Sequence, residues 1–216
     1  MNESAINILK TLNKYKVIIG IGIGVAIAIS VGVSFLVTAK TRKIESEWQN
    51  IRKINNDLAT AMQQGREEKD KTAALTTASD AYKYVRDNVS SSSTLPWVLF
   101  QLGNIYHKLK NYDEAIRHYN DFLDKYGSHQ LAPVVKQSLG YCYEEKGLFP
   151  EAIRQFENVS GHKDGLLTAQ NGWDAGSCYE KLGQTSDAIR SYTKAIELFP
   201  NRVWATMSKY RLSAIK

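Results

Sequence analysis

Side chains able to carry out covalent or acid-base chemistry are few and scattered in this 216-residue chain. Four histidines, His107, His118, His129 and His162, fall in unrelated contexts, and no serine, cysteine or carboxylate beside them forms a nucleophile motif. No glycine-rich phosphate loop and no metal-ligand spacing occurs, so the sequence predicts no catalytic residue, no cofactor and no metal. Cys142 and Cys178 are too few for a disulfide framework, and their similar tyrosine-flanked settings read as core filling rather than redox chemistry. The chain is therefore expected to bind rather than react.

Net charge narrows what it binds. The formal charge is +6, but three basic residues and one acid fall in residues 1–16, leaving a mild excess of 25 over 21 scattered among acids. No phosphate-tracking stripe results, and nucleic acid is excluded as a partner.

From Val17 to Val37, 21 residues carry no charge. As a helix rising about 1.5 Å per residue they span roughly 31 Å, the thickness of a bilayer's hydrocarbon. Lysines upstream and Val37-Thr38-Ala39 resemble a cleaved signal peptide, yet the run exceeds the usual apolar core of about 7–15 residues, which favours an uncleaved anchor. Gly20, Gly24, Ala28 and Gly32 form one row of small residues, and Gly22, Ala26, Ser30 and Ser34 another, which would let a second membrane helix approach. Lys10, Lys14 and Lys16 precede the run and Lys40, Arg42, Lys43, Arg52 and Lys53 follow it, a balance leaning toward a cytoplasmic C-terminal domain.

Ile44, Trp48, Ile51, Asn55, Leu58 and Met62 then recur at spacings of four and three. This stripe suits either a homodimeric seam or packing on a neighbouring helix of the same chain, and its shortness favours the second.

Downstream the chain repeats itself. LGNIY at 102–106, LGYCY at 139–143 and AGSCY at 175–179 are followed by DEAIRHY at 113–119, PEAIRQF at 150–156 and SDAIRSY at 186–192. The glycines Gly103, Gly140 and Gly176 are 37 and 36 residues apart, which predicts stacked helical hairpins. Asn111 offers an N-cap with Glu114 three residues on, Gly147 and Gly183 suit left-handed turn positions, and Pro96, Pro133 and Pro150 suit first turns. Gly103 would leave room for Tyr119 where the two helices cross.

These copies resemble the tetratricopeptide repeat, W-x2-L-G-x2-Y followed by A-x3-F and a later proline. Tyr106, Tyr143 and Tyr179 match it, whereas Leu99, Lys136 and Gly172 stand where it has tryptophan, and the period is two or three residues longer than 34. Residues 72–89 look like the second helix of a degenerate earlier copy. A short tail, one membrane helix and a compact repeat array is similar to the ancillary subunit of the bacterial SecYEG translocon, which would put the repeats in the periplasm, on the inner membrane, against the charge balance.

The resemblance implies a concave groove lined by the first helix of each hairpin. By helical spacing its candidate residues are Trp97, Phe100, Asn104, His107 and Lys108, then Tyr141, Glu144 and Glu145, then Trp173, Glu180 and Lys181. Trp97, Phe100, Tyr141 and Trp173 are the candidate anchors. Of the constellation with which chaperone-binding relatives clamp a C-terminal carboxylate only Asn104 is in place, so no such clamp is expected.

The expected protein is all-α: a basic tail over 1–16, a transmembrane helix over 17–38, juxtamembrane helices and a degenerate repeat over 39–94, three repeats over 95–200 and a closing helix over 201–216. The expected role is a non-catalytic, membrane-anchored adaptor that holds a protein partner, a translocon or another membrane complex. The alternatives are an assembly subunit of a membrane-associated enzyme complex and a periplasmic chaperone. A homodimer through the membrane and juxtamembrane helices is a further expectation.

Overall fold

The structure, a computed structural model, describes residues 3–89, 93–159, 165–198 and 200–215. Among these all regular elements are helices: α1 (Glu3–Gln64), α2 (Glu68–Asn88), α3 (Leu95–Lys108), α4 (Tyr112–Tyr126), α5 (Ala132–Glu145), α6 (Phe149–Glu157), α7 (Gly165–Lys181), α8 (Thr185–Leu198) and α9 (Val203–Ile215). The chain divides into two units, Met1–Trp48 and Gln49–Lys216.

Where the sequence suggests a tail, a membrane helix and a separate juxtamembrane helix, residues 3–64 form one uninterrupted α-helix. No proline falls in this stretch, and the charges from Lys40 onward alter polarity without removing a backbone bond. Within the first unit, the large apolar side chains described between Val17 and Val37 are exposed, from 53% at Val25 to 73% at Phe35. A Cβ added at Gly20, Gly22, Gly24 or Gly32 in the rows of small residues would meet no atom within 4 Å.

In the second unit Gly65 ends α1, and Glu67 and Asp70 close a reciprocal capping box on α2, which begins four residues before the expected position 72. Ile51 is buried, and Tyr82 on α2 donates from its hydroxyl to Asn55 Oδ1 at 2.7 Å. Ile51 and Asn55 of the α1 stripe are thus used within the second unit, and the amide that could have set a dimer register already has a partner.

From α2 onward each helix packs on the next, and the first helices α3, α5, α7 and α9 also touch in succession. Three close crossings set this frame. A Cβ at Gly140 would lie 2.5 Å from Phe156 Cε1, one at Gly176 2.5 Å from Tyr192 Cε1, and one at Gly103 2.5 Å from Tyr119 Cδ1. Each aromatic ring fills the space the glycine leaves open, as the repeat pattern requires. Asn111 caps α4 by accepting from the Glu114 amide at 3.3 Å. The turn after each first helix needs a left-handed residue, supplied by Gly147 (φ 72°) and Gly183 (φ 71°), but by Lys110 (φ 56°) in the first hairpin. Cys142 and Cys178 are buried free thiols, pushed up to about 12 by burial, consistent with core filling.

Candidate functional site

The first helices of the hairpins present equivalent positions 37 and 36 residues apart, so two notches lie between them. Gln101, Ser138 and Asp174 share one position; Asn104, Tyr141 and Ser177 share the next, one turn along.

The first notch, between α3 and α5, is a cavity of about 190 Å³ lined by Gln101, Asn104, His107, Lys108, Tyr119, Ser138 and Tyr141. Its lining is neutral apart from Lys108. Tyr119 donates to Asn104 Oδ1 at 2.7 Å, which fixes the amide and leaves its NH2 group pointing elsewhere. The His107 ring meets Tyr112 edge-on at 5.5 Å; burial lowers its pKa, and its Nε2 has no protein partner. Beside this notch Trp97 and Phe100 are half-buried and pack edge to face at 6.2 Å, with Phe100 6.3 Å from Tyr119.

The second notch, between α5 and α7, is bridged by side chains. Tyr141 donates to Asp174 Oδ2 at 2.7 Å and accepts from Gln170 Nε2 at 2.8 Å, while its ring packs 5.3 Å from Phe156. Asp174 is only 5% exposed, and burial pushes its carboxyl up to about 7 against the opposing pull of the Tyr141 bond. Outside this pair, Lys181 donates to Glu144 at 2.7 Å and lies over the Phe149 ring at 5.3 Å. Tyr112 donates to Glu145 at 3.2 Å.

The far end is covered by α9. Trp173 packs against Trp204 with ring centroids 5.5 Å apart and the planes tilted by 43°, and its Nε1 is buried without an acceptor among the described residues. Glu180 accepts from Tyr192 Oη at 2.6 Å and from Arg211 Nε at 3.1 Å, and the Arg211 guanidinium holds its carboxyl below the usual range.

Of the residues expected to line an open groove, Trp97, Phe100, Asn104, His107 and Lys108 thus gather around one notch. Tyr141 reaches it from α5 but is also bonded to α7. Glu144, Glu145, Glu180 and Lys181 are engaged in bonds within the chain, and Trp173 is packed against α9. Partners 33, 37 and 31 residues away decide this for Tyr141, Lys181 and Glu180, beyond the reach of helical spacing. Gln101 and Arg211 were not singled out by the sequence, although the repeat period points to Gln101 through Ser138 and Asp174. His162 lies outside the described residues. No cluster of three or more potential metal ligands occurs among the described residues.

Tetratricopeptide repeat profiles match residues 96–121, which cover nearly all of α3 and most of α4, and residues 172–202, which cover the C-terminal part of α7 and all of α8. The chain carries tetratricopeptide repeats. A TPR repeat-containing protein of Treponema pallidum (strain Nichols) is 24% identical over 188 residues, covering 82% of this chain and 76% of that protein. Among solved structures, a tetratricopeptide repeat protein from Parabacteroides merdae ATCC 43184 superposes with a TM-score of 0.62 at 16% identity, covering 79% of this chain and 60% of that one. MamA 41-end from Desulfovibrio magneticus RS-1 does so with a TM-score of 0.55 at 15% identity, covering 77% and 93%. These likenesses show an all-α tetratricopeptide repeat solenoid. The repeat motif also explains the close crossings: its small residue at the glycine position and large aromatic at the partner position meet in all three hairpins.

Proposed function

We propose that this chain is a membrane-anchored adaptor whose first notch, flanked by Trp97 and Phe100, captures a segment of a protein partner. The observation that carries this reading is the open cavity beside two half-exposed aromatic rings, the residue types that dominate binding energetics. Around it Gln101 and Ser138 offer uncharged polar groups of the kind that pair with a peptide backbone. The anchor is proposed from the uncharged run Val17–Val37, one helix long and apolar enough to cross a membrane, with its apolar side chains unburied. Anchoring would raise the effective concentration of the notch around membrane partners. The arrangement of tail, apolar helix and repeats supports a translocon-associated role with the repeats in the periplasm, and binding alone would be its mechanism.

The test is a photo-crosslinking amino acid at position 101 in the full-length chain in membranes, followed by mass spectrometry of the adduct. The expected result is a fixed set of membrane-complex subunits, lost in the Trp97→Ala variant. Adducts that persist unchanged in that variant would refute the notch. Full release of the protein by alkaline carbonate would refute the anchor.

A further inference from the structure

The second notch carries an inference that rests on the groove reading and sharpens it. Asp174 takes the position that Gln101 and Ser138 hold in the first notch, and its hydrogen-bond donor Tyr141 itself lines that notch. A polar side chain at this position therefore faces the groove between neighbouring first helices. Here the side chain is a carboxylate 5% exposed, and among the described residues its hydrogen-bond donor is a phenol. Among the described residues Lys181 is paired with Glu144 and Arg211 with Glu180. Buried carboxylates ordinarily have a cation or several donors around them, and a single neutral donor leaves the group short of compensation.

We propose that Asp174 selects a basic side chain, lysine or arginine, on the captured segment of the protein partner. The ligand's ammonium or guanidinium would bridge the free carboxylate oxygen and the Tyr141 hydroxyl, which Gln170 holds in place. Burial raises the carboxyl toward neutrality in the empty groove, so the unliganded protein avoids a naked buried charge and the arriving cation draws the proton off. Glu144, whose charge also bears on Asp174, adds to the negative field despite its pairing with Lys181. The ligand would thus run from the aromatic pair Trp97 and Phe100 toward α7, with its basic residue at the second notch.

The experiment pans a phage-displayed random heptapeptide library against the full-length protein in nanodiscs, with Asp174→Asn and the double variant Trp97→Ala/Phe100→Ala in parallel. Asparagine preserves the shape at 174, and thermal unfolding checks that each variant is folded. The expected result is enrichment of lysine or arginine at one peptide position by about tenfold in the parent protein, lost in Asp174→Asn, which still enriches peptides. A resynthesised lysine peptide should then bind about tenfold more weakly when its lysine is replaced by norleucine. An unchanged basic preference in Asp174→Asn, or none in the parent while aromatic-dependent peptides still enrich, would overturn the inference and leave the groove intact. Enrichment that ignores the double variant, or no enrichment at all, would overturn the groove and this inference with it.

Discussion

The two notches are built on one frame and do different things with it. Between α3 and α5 the shared positions hold Gln101, Asn104 and Ser138, which line an open cavity; between α5 and α7 they hold Tyr141 and Asp174, which bond to each other across the notch. Nothing in the backbone separates the two, because the glycine and aromatic pairs that set the crossings recur in each hairpin. The difference comes from side-chain length and charge alone: a tyrosine in place of an asparagine reaches across to the next hairpin, and a carboxylate gives it something to reach for. A repeat array can thus change a binding surface from one notch to the next without altering its packing.

The largest expected effect separates the two sides of the array by pH. Asp174 rises to about 7 in the fold, so between about 4 and 7 the native state binds more protons than the unfolded chain, and its contribution falls as pH rises. A rise of that size corresponds to on the order of 4 kcal/mol at full expression. His118, stacked 5.4 Å from Tyr106, is lowered to about 4 by burial first and then by Arg117 and Arg86, with Glu114 and Asp121 opposing. There the unfolded chain binds more protons between about 4 and 6.5, so stability rises with pH across that window. The two slopes oppose each other in the parent protein. Urea unfolding of Asp174→Asn from pH 4 to 7 should leave the rising slope of His118 exposed; an unchanged profile would mean that Asp174 is not desolvated and that the notches differ less than their contacts indicate.

Trp97→Ala tests the other notch. Truncating an interface anchor typically costs about 2 kcal/mol or more, so capture of the partner should weaken about 30-fold with little change in thermal stability. An equal loss from Trp173→Ala would contradict the comparison, since Trp173 is packed against Trp204.

The shared frame itself is tested by Gly140→Val. The side chain would press on the buried Phe156 ring, and overpacking of this kind costs about 1–3 kcal/mol, read as a lower unfolding midpoint. Gly103→Val and Gly176→Val should behave alike; a benign substitution at one of them would show that the hairpins are not equivalent. The smallest effect is a gain. Lys110→Gly relieves the left-handed turn that glycines occupy in the later hairpins, and should stabilise the protein by about 0.5–1 kcal/mol in the same assay.

Much of this architecture was legible in the residues. Gly103, Gly140 and Gly176 with their aromatic partners, the Asn111 cap and the left-handed turns at Gly147 and Gly183 are short-range features that recur, so they announce themselves in one chain. The site was legible only in part. Helical spacing places Trp97, Phe100, Asn104, His107 and Lys108 on one helix face and offers Glu180 and Lys181 as groove residues, but it carries no information on the pairing of those two with Arg211 and Glu144. Residues 3–64 form one helix although its composition changes from apolar to charged, because polarity alters solvation without removing a backbone hydrogen bond.

The sequence by itself determined the helices, their pairing into hairpins and the apolar run at the N-terminus. Each of these follows from backbone preference, from side-chain volume at a fixed period or from the solvation of a contiguous segment. Which polar groups on the concave side are available was decided only by tertiary structure. That outcome depends on whether Tyr141 meets Asp174, Lys181 meets Glu144 and Arg211 meets Glu180 across helices, and the strength of such meetings is set by burial and by a hydrogen-bond geometry that exists only once the hairpins have stacked.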